Sequence, residues 1–218
     1  MTIHTSREFR SATPLGTGAG TGFEALLPPS SVQPATLYAA GSEIYAQGEK
    51  AGDLYQVEFG AVRVYRLLAD GRRQIAAFHL AGEVFGFETG KTHHFFAETI
   101  GATGIRVIRQ HAGADASREL LPLALESLVR AQEHLLVLGR QNAAERVAAF
   151  LMDMAARQGD LEEIELPMSR GDIGDYLGLT IETVSRVFSK LKEKGIVRLP
   201  SLRKVKIVKM QTLRDMSE

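Results

Sequence analysis

Cysteine is absent from this 218-residue chain. That excludes disulfides, thiolate zinc sites and cysteine-held iron–sulfur clusters. No run of about 18 apolar residues is present, so no segment is expected to span a membrane. No basic-then-apolar leader opens the sequence, and the expected location is the cytoplasm. Net charge is missing as well. The 26 Lys+Arg and 26 Asp+Glu cancel, so global charge offers no pull toward nucleic acid. What remains is an ordinary globular composition, 44% hydrophobic, in a length that suits one or two domains.

The charge is unevenly placed. Between Arg186 and Lys209 lie nine basic residues opposed only by Glu193, a local net of +8. Such a run by itself can be a plain solvated face. Here it overlaps a second signal. Gly174 to Leu191 reads as a short helix, a turn at Gly178 and a second helix, the pattern of a DNA-binding helix-turn-helix. The Thr180 hydroxyl can cap the amides of the second helix. Val184, Phe188 and Leu191 recur at steps of four and three and form its buried stripe. Glu182, Ser185, Arg186 and Ser189 fall on the other side. An arginine can donate twice to guanine, and a glutamate can accept from cytosine N4. With a base-reading helix in place, the basic run is better read as phosphate neutralisation.

Glu182-Thr-Val-Ser-Arg186 resembles the recognition helix of the CRP/FNR superfamily of bacterial transcription factors. Serine at 185 resembles the FNR/FixK branch, whereas the cyclic-AMP receptor branch has glycine there. The resemblance runs from about Phe23 to Met210 and is most specific in the C-terminal third.

Four regions are expected. Residues 1–22, with closely spaced glycines, read as a flexible tail, and Phe23–Leu27 as a short helix before two prolines. Residues 23–116 carry short alternating strands broken by turns. Among them are Leu54–Phe59, Val62–Leu67 and Gln74–Leu80, with Asp70-Gly71 as the hairpin turn. This suggests an antiparallel barrel or jelly roll, with the Tyr and Phe residues as its core. The resemblance implies a double-stranded β-helix. Residues 117–139 form a long amphipathic helix in which Leu121, Leu125, Leu128, Leu135 and Leu138 lie near a heptad stripe. A core-facing helix would look similar; the resemblance favours a homodimer seam. Residues 140–218 begin with a helix over Gln141–Leu151. Ser169 and Asp172 have capping-box spacing at the start of the helix-turn-helix. Ile196–Leu199 and Lys204–Val208 alternate across Pro200-Ser201 and form a wing. The fold class is α+β: a jelly-roll sensor-type domain, a dimerisation helix and a winged helix-turn-helix.

The family's cyclic-nucleotide members hold the phosphate with an Arg-Ser or Arg-Thr pair after a Gly-Glu turn. Here that turn is Gly82-Glu83, and the pair falls at Phe96-Ala97, which carries no side-chain donor. No arginine occurs between Arg73 and Arg106, so a shifted alignment does not restore the site. His93-His94 and Glu98 resemble a damaged cupin metal motif. Adjacent residues on a strand point to opposite faces, so two neighbouring histidines are poorly placed to share an ion. No cofactor or metal is expected.

The resemblance implies a homodimeric, sequence-specific DNA-binding regulator, not an enzyme, whose partners are a palindromic duplex and RNA polymerase. It assigns base contacts to Glu182, Ser185 and Arg186, with a TTGA-type half-site. It assigns phosphate contacts to Ser169, Arg170, Thr180 and Thr183, and the charge of the wing adds Arg203 and Lys204. Two alternatives stand beside it: a ligand-gated sensor with another effector in the barrel, and a cupin-like metal-binding protein fused to a DNA-binding module.

Overall fold

A computed structural model describes residues 34–109, 114–140 and 142–217, with residues 114–119 as backbone only. The tail expected over residues 1–22 and the helix expected over Phe23–Leu27 lie outside the described residues.

Eight strands come first: β1 (Thr36–Tyr38), β2 (Glu43–Tyr45), β3 (Asp53–Phe59), β4 (Ala61–Leu67), β5 (Arg73–Leu80), β6 (Val84–Phe85), β7 (Phe96–Thr99) and β8 (Thr103–Arg109). They form two four-stranded antiparallel sheets, ordered β1-β8-β3-β6 and β2-β7-β4-β5. The β4–β5 hairpin turns where Asp70-Gly71 predicts it. Gly71 has φ +81°, and Asp70 Oδ1 accepts from the Arg72 amide at 3.0 Å. Alternation along the strands buries Val57, Val62, Val64, Phe85 and Ile105 between the sheets. Aromatic residues do not all follow. Phe59 is 50% exposed and folds over Gly104, where an added Cβ would sit 2.5 Å from its ring. The expectation that every aromatic fills the barrel core is corrected there: Phe59 ends its strand beside a register shift and serves as a cover.

Helix α1 (Ala114–Leu138) is 25 residues long and ends at a turn at Gly139; α2 (Ala143–Arg157) follows. The Asn142 side chain caps α2 by accepting from the Ala144 amide at 2.9 Å. Then come β9 (Glu163–Glu165), α3 (Arg170–Leu177), α4 (Ile181–Glu193), β10 (Val197–Arg198), β11 (Lys204–Ile207) and α5 (Met210–Ser217). The wing is three-stranded, β10-β11-β9. Sequence patterning finds β10 and β11 but misses β9 and α5. The outer face of β5 joins the C-terminal core: Phe78 packs against Tyr176 and Phe150, with ring centroids 5.1 and 6.4 Å away.

Candidate nucleic-acid interface

Two glycines set the angle between α3 and α4. Gly178 ends α3 in the left-handed region (φ +64°), where a side chain is strained. A Cβ on Gly174 would lie 2.6 Å from the Leu179 carbonyl oxygen, so the turn closes onto α3 only because that position is glycine. The capping box at α3 is complete. Ser169 Oγ accepts from the Asp172 amide at 3.0 Å, and Asp172 Oδ2 accepts from the Ser169 amide at 3.0 Å. Thr180 Oγ1 accepts from the Thr183 amide at 3.2 Å and caps α4. Val184, Val187, Phe188 and Leu191 are buried. Val187 joins the three expected members of the stripe and completes its spacing of three and four.

The outer face of α4 carries Glu182, Ser185, Arg186, Ser189 and Lys190, all exposed. Within this face, the three residues assigned to base reading span one turn at the start of the helix. The Glu182 carboxyl is held below its usual range by its own backbone N–H, then by the Thr180 hydroxyl and the Arg186 guanidinium. It stays ionised and acts only as an acceptor.

The residues assigned to phosphates separate into groups. Arg170 lies 3.3 Å over the Phe188 ring and has no hydrogen bond or ion pair among the described residues. Burial lowers its pKa to about 10, which leaves it charged at neutral pH. Ser169 donates its hydroxyl proton to Asp172 at 2.7 Å. Thr180 and Thr183 pair their hydroxyls at 3.1 Å. Arg203 is exposed and without an acid partner, while Lys204 Nζ lies 3.5 Å from Glu163 of β9. That exposed pair contributes little and leaves Lys204 available. A groove of about 510 Å³ separates α4 from the wing, bordered by Arg170, Ser185, Ser189, Lys192, Ser201 and Leu202. Leu202 at the wing tip is 93% exposed. Sequence reasoning did not single out Phe188 as the platform for Arg170, nor Lys192 and Leu202; only the pairing of α4 with the wing brings them together.

The Gly82-Glu83 turn is filled from within the protein. Glu83 Oε1 accepts from Arg157 Nε at 2.9 Å and forms an ion pair with Arg130 Nη1, also at 2.9 Å. Oε2 accepts from Arg157 Nη2 at 2.8 Å and the Leu80 amide at 3.1 Å. Burial alone would raise the Glu83 pKa; His79 and Arg157 outweigh it and bring it to about 2. His79 Nδ1 stands 3.7 Å off, beyond hydrogen-bonding distance, and burial pushes its own pKa down. The permanently charged arginines therefore supply the counter-charge. Phe96 stacks on Tyr65, and Ala97 is fully buried in the barrel.

The histidine pair is arranged differently from a strand. Residues 93–95 form an irregular bend before β7, so both rings approach one carboxylate instead of pointing to opposite faces. His93 is buried and stacked on Tyr45 at 3.7 Å, with Nδ1 3.4 Å from Glu88. The exposed His94 binds Glu88 Oε2 through Nδ1 at 2.6 Å. Glu98 pairs with Arg63, away from both. Among the described residues, no group of three or more His, Cys, Asp or Glu is placed to hold a metal ion.

On α1, Leu121, Leu125, Leu128 and Leu135 are each more than half exposed, as are Val129 and Leu136. Leu138 differs: it is half-buried and lies near Gly178 of the turn. Among the described residues, no helix is long and apolar enough to cross a membrane.

Residues 145–216 match the Crp-like helix-turn-helix domain, and residues 35–110 match the cyclic nucleotide-binding domain. The chain is 56% identical over 179 residues to the nitrogen fixation regulation protein FixK of Rhizobium meliloti (strain 1021), spanning 82% of this chain and 85% of the relative. It is 45% identical to the protein of the same name from Azorhizobium caulinodans, over 82% of this chain and 77% of that one. The structure of FixK2 from Bradyrhizobium japonicum superposes with a TM-score of 0.80 at 42% identity, covering 86% of this chain and 98% of that one.

Proposed function

This chain belongs to the CRP/FNR family as a FixK-like DNA-binding transcription regulator, and from that premise we propose that it reads a palindromic TTGA-type site as a homodimer without a cyclic nucleotide. The relatives it matches are regulators, not enzymes. The observation that carries the reading is the exposed trio Glu182, Ser185 and Arg186 at the capped start of α4. Arg186 donates to the guanine of the half-site, Glu182 accepts from a cytosine amine, and Ser185 reaches the edge between them. Arg170, Thr180, Thr183, Arg203, Lys204 and the Ser169 end of α3 set the register on phosphates. Leu121, Leu125, Leu128 and Leu135 form the two-fold seam, with Leu138 at its margin. The dimer acts in the cytoplasm, activating promoters through contact with RNA polymerase.

Effector independence is supported by the barrel turn. Glu83 is neutralised by Arg130 and Arg157, and the Phe96-Ala97 positions offer no phosphate donor. A ligand-gated reading is favoured by one observation, a cavity of about 760 Å³ among the barrel, α1 and α2. Titration of a TTGA palindrome with purified protein, with and without cell extract, decides between them at fixed salt. Tight binding by the purified protein alone is expected. Binding only after extract is added would establish the gated reading, and no preference for the palindrome under either condition would end both.

A further inference from the structure

The side of the helix-turn-helix away from the outer face of α4 is tied to the barrel by charge. Asp172, in the first turn of α3, is 3% exposed. Its Oδ1 accepts from Arg63 Nη1 at 3.1 Å and Arg73 Nη2 at 2.6 Å. Its Oδ2 is occupied by the Ser169 amide and hydroxyl. One carboxylate thus joins β4 and β5 to the cap of α3. Arg73 also holds Asp175, through Nε at 3.0 Å and Nη2 at 2.9 Å. Gln74 Nε2 donates to the Asp175 carbonyl at 2.7 Å. The other arm of Arg63 is fixed on Glu98 of β7, its register partner across the sheet.

Buried ion pairs are poor evidence for stability, because desolvation offsets their attraction. Their geometry is another matter. A guanidinium is a planar fork with fixed donor directions, so this set constrains orientation. Elsewhere between the two halves, Arg157 of α2 pairs with Glu83 and donates to the Phe78 carbonyl at 2.7 Å. Phe78 packs against Tyr176 and Phe150 without fixed direction. The directional ties to α3 are those of Arg63, Arg73 and Gln74. The base-reading trio stays exposed, so the charged set does not cover it.

We propose that Arg63 and Arg73 are positioning residues for DNA reading. They fix the angle at which the barrel presents α3 and α4, and with it the separation of the two recognition helices in the dimer, without any ligand. This rests on the homodimeric reading of a palindrome given above. A helix already set at the right spacing engages the second half-site with little further loss of freedom; a loosely held one does not.

The test compares the full-length protein with Arg63→Gln/Arg73→Gln on two duplexes in one low-salt buffer, a palindrome and a single half-site. Palindrome affinity should fall by roughly tenfold or more, while half-site affinity changes by less than about twofold. Tryptic cleavage after Arg140, between α1 and α2, should quicken. An equal loss on both duplexes would mean damage to the helix-turn-helix itself and would overturn the proposal, as would unchanged palindrome affinity. Should the double variant not fold, Arg73→Gln alone and Asp172→Asn, which keeps a side-chain oxygen for the Ser169 amide, provide the same comparison. A wild-type protein with no preference for the palindrome over the half-site would overturn the dimeric reading, and this proposal with it; that failure shows in the wild type, not in the variants.

Discussion

The outer face of α4 and the Gly82-Glu83 turn treat charge in opposite ways. On α4 and beside it, the guanidinium groups of Arg170, Arg186 and Arg203 make no hydrogen bond or ion pair among the described residues. At the turn, Glu83 receives four hydrogen bonds or ion-pair contacts from Arg130, Arg157 and the Leu80 amide. A site awaiting an external ion leaves its own charges unmatched, as a duplex would require of α4. A site whose charges are matched internally presents no unpaired charge to an incoming ion. The two regions belong to one family architecture, yet of the two only the first leaves guanidinium groups unpaired.

The contrast breaks most severely if the reading face works without a two-fold partner. Leu128→Glu places a charge on the exposed stripe of α1. Sedimentation should then report monomers, and palindrome affinity should fall by roughly a hundredfold or more as the second half-site is lost. A dimer that persists with full affinity would remove α1 as the seam. Arg186→Ala should leave the dimer intact and cost about 1–3 kcal/mol per half-site, with relaxed preference at the guanine. Unchanged affinity together with unchanged preference would show that the unmatched arginine is not a reader.

The turn can be probed with acid. The Glu83 pKa is depressed from the usual value near 4.5 to about 2 in the folded protein. Its contribution is therefore present above about pH 4.5 and is lost as pH falls toward 2; the span corresponds to something on the order of 3 kcal/mol. Glu83→Gln should flatten the fall in stability across that window, seen in urea melts at several pH values. Equal slopes for the two proteins would mean that the arginine clamp does not hold the turn. The smallest effect is predicted for cyclic AMP: palindrome titrations with and without it should coincide. A gain of tenfold, about 1.4 kcal/mol of coupling, would show that the turn still accepts a nucleotide despite its internal partners.

What could be read in the sequence was local. The Ser169–Asp172 box, the Thr180 cap and the Val184–Phe188–Leu191 stripe each lie within a few residues, where spacing alone specifies geometry. The strands around Asp70-Gly71 were legible for the same reason. Strand β9 was not, because three residues containing two glutamates show no strand character until Lys204 and Lys206 pair across from Glu165 and Glu163. The Phe59 cover depends on a glycine 45 residues away. The joining of Asp172 to Arg63 and Arg73 crosses 109 and 99 positions. Nothing in the local pattern of Gly82-Glu83 announces Arg157, 74 positions on. Periodicity also could not tell the exposed leucines of α1 from Leu138, which turns toward Gly178.

Strand β5 belongs to two cores at once. Ile75 and Phe78 are strand residues of the barrel, yet they share one apolar cluster with Phe150, Leu151 and Leu177. Melting of the C-terminal half would bare that strand face, and melting of the barrel would strip a wall from the C-terminal core. Cooperative unfolding units follow such shared contacts rather than sequence divisions. The two halves are therefore expected to unfold together across β5. A fragment cut at the α1–α2 break would keep every residue assigned to DNA contact and still expose a hydrophobic wound, making it prone to self-association.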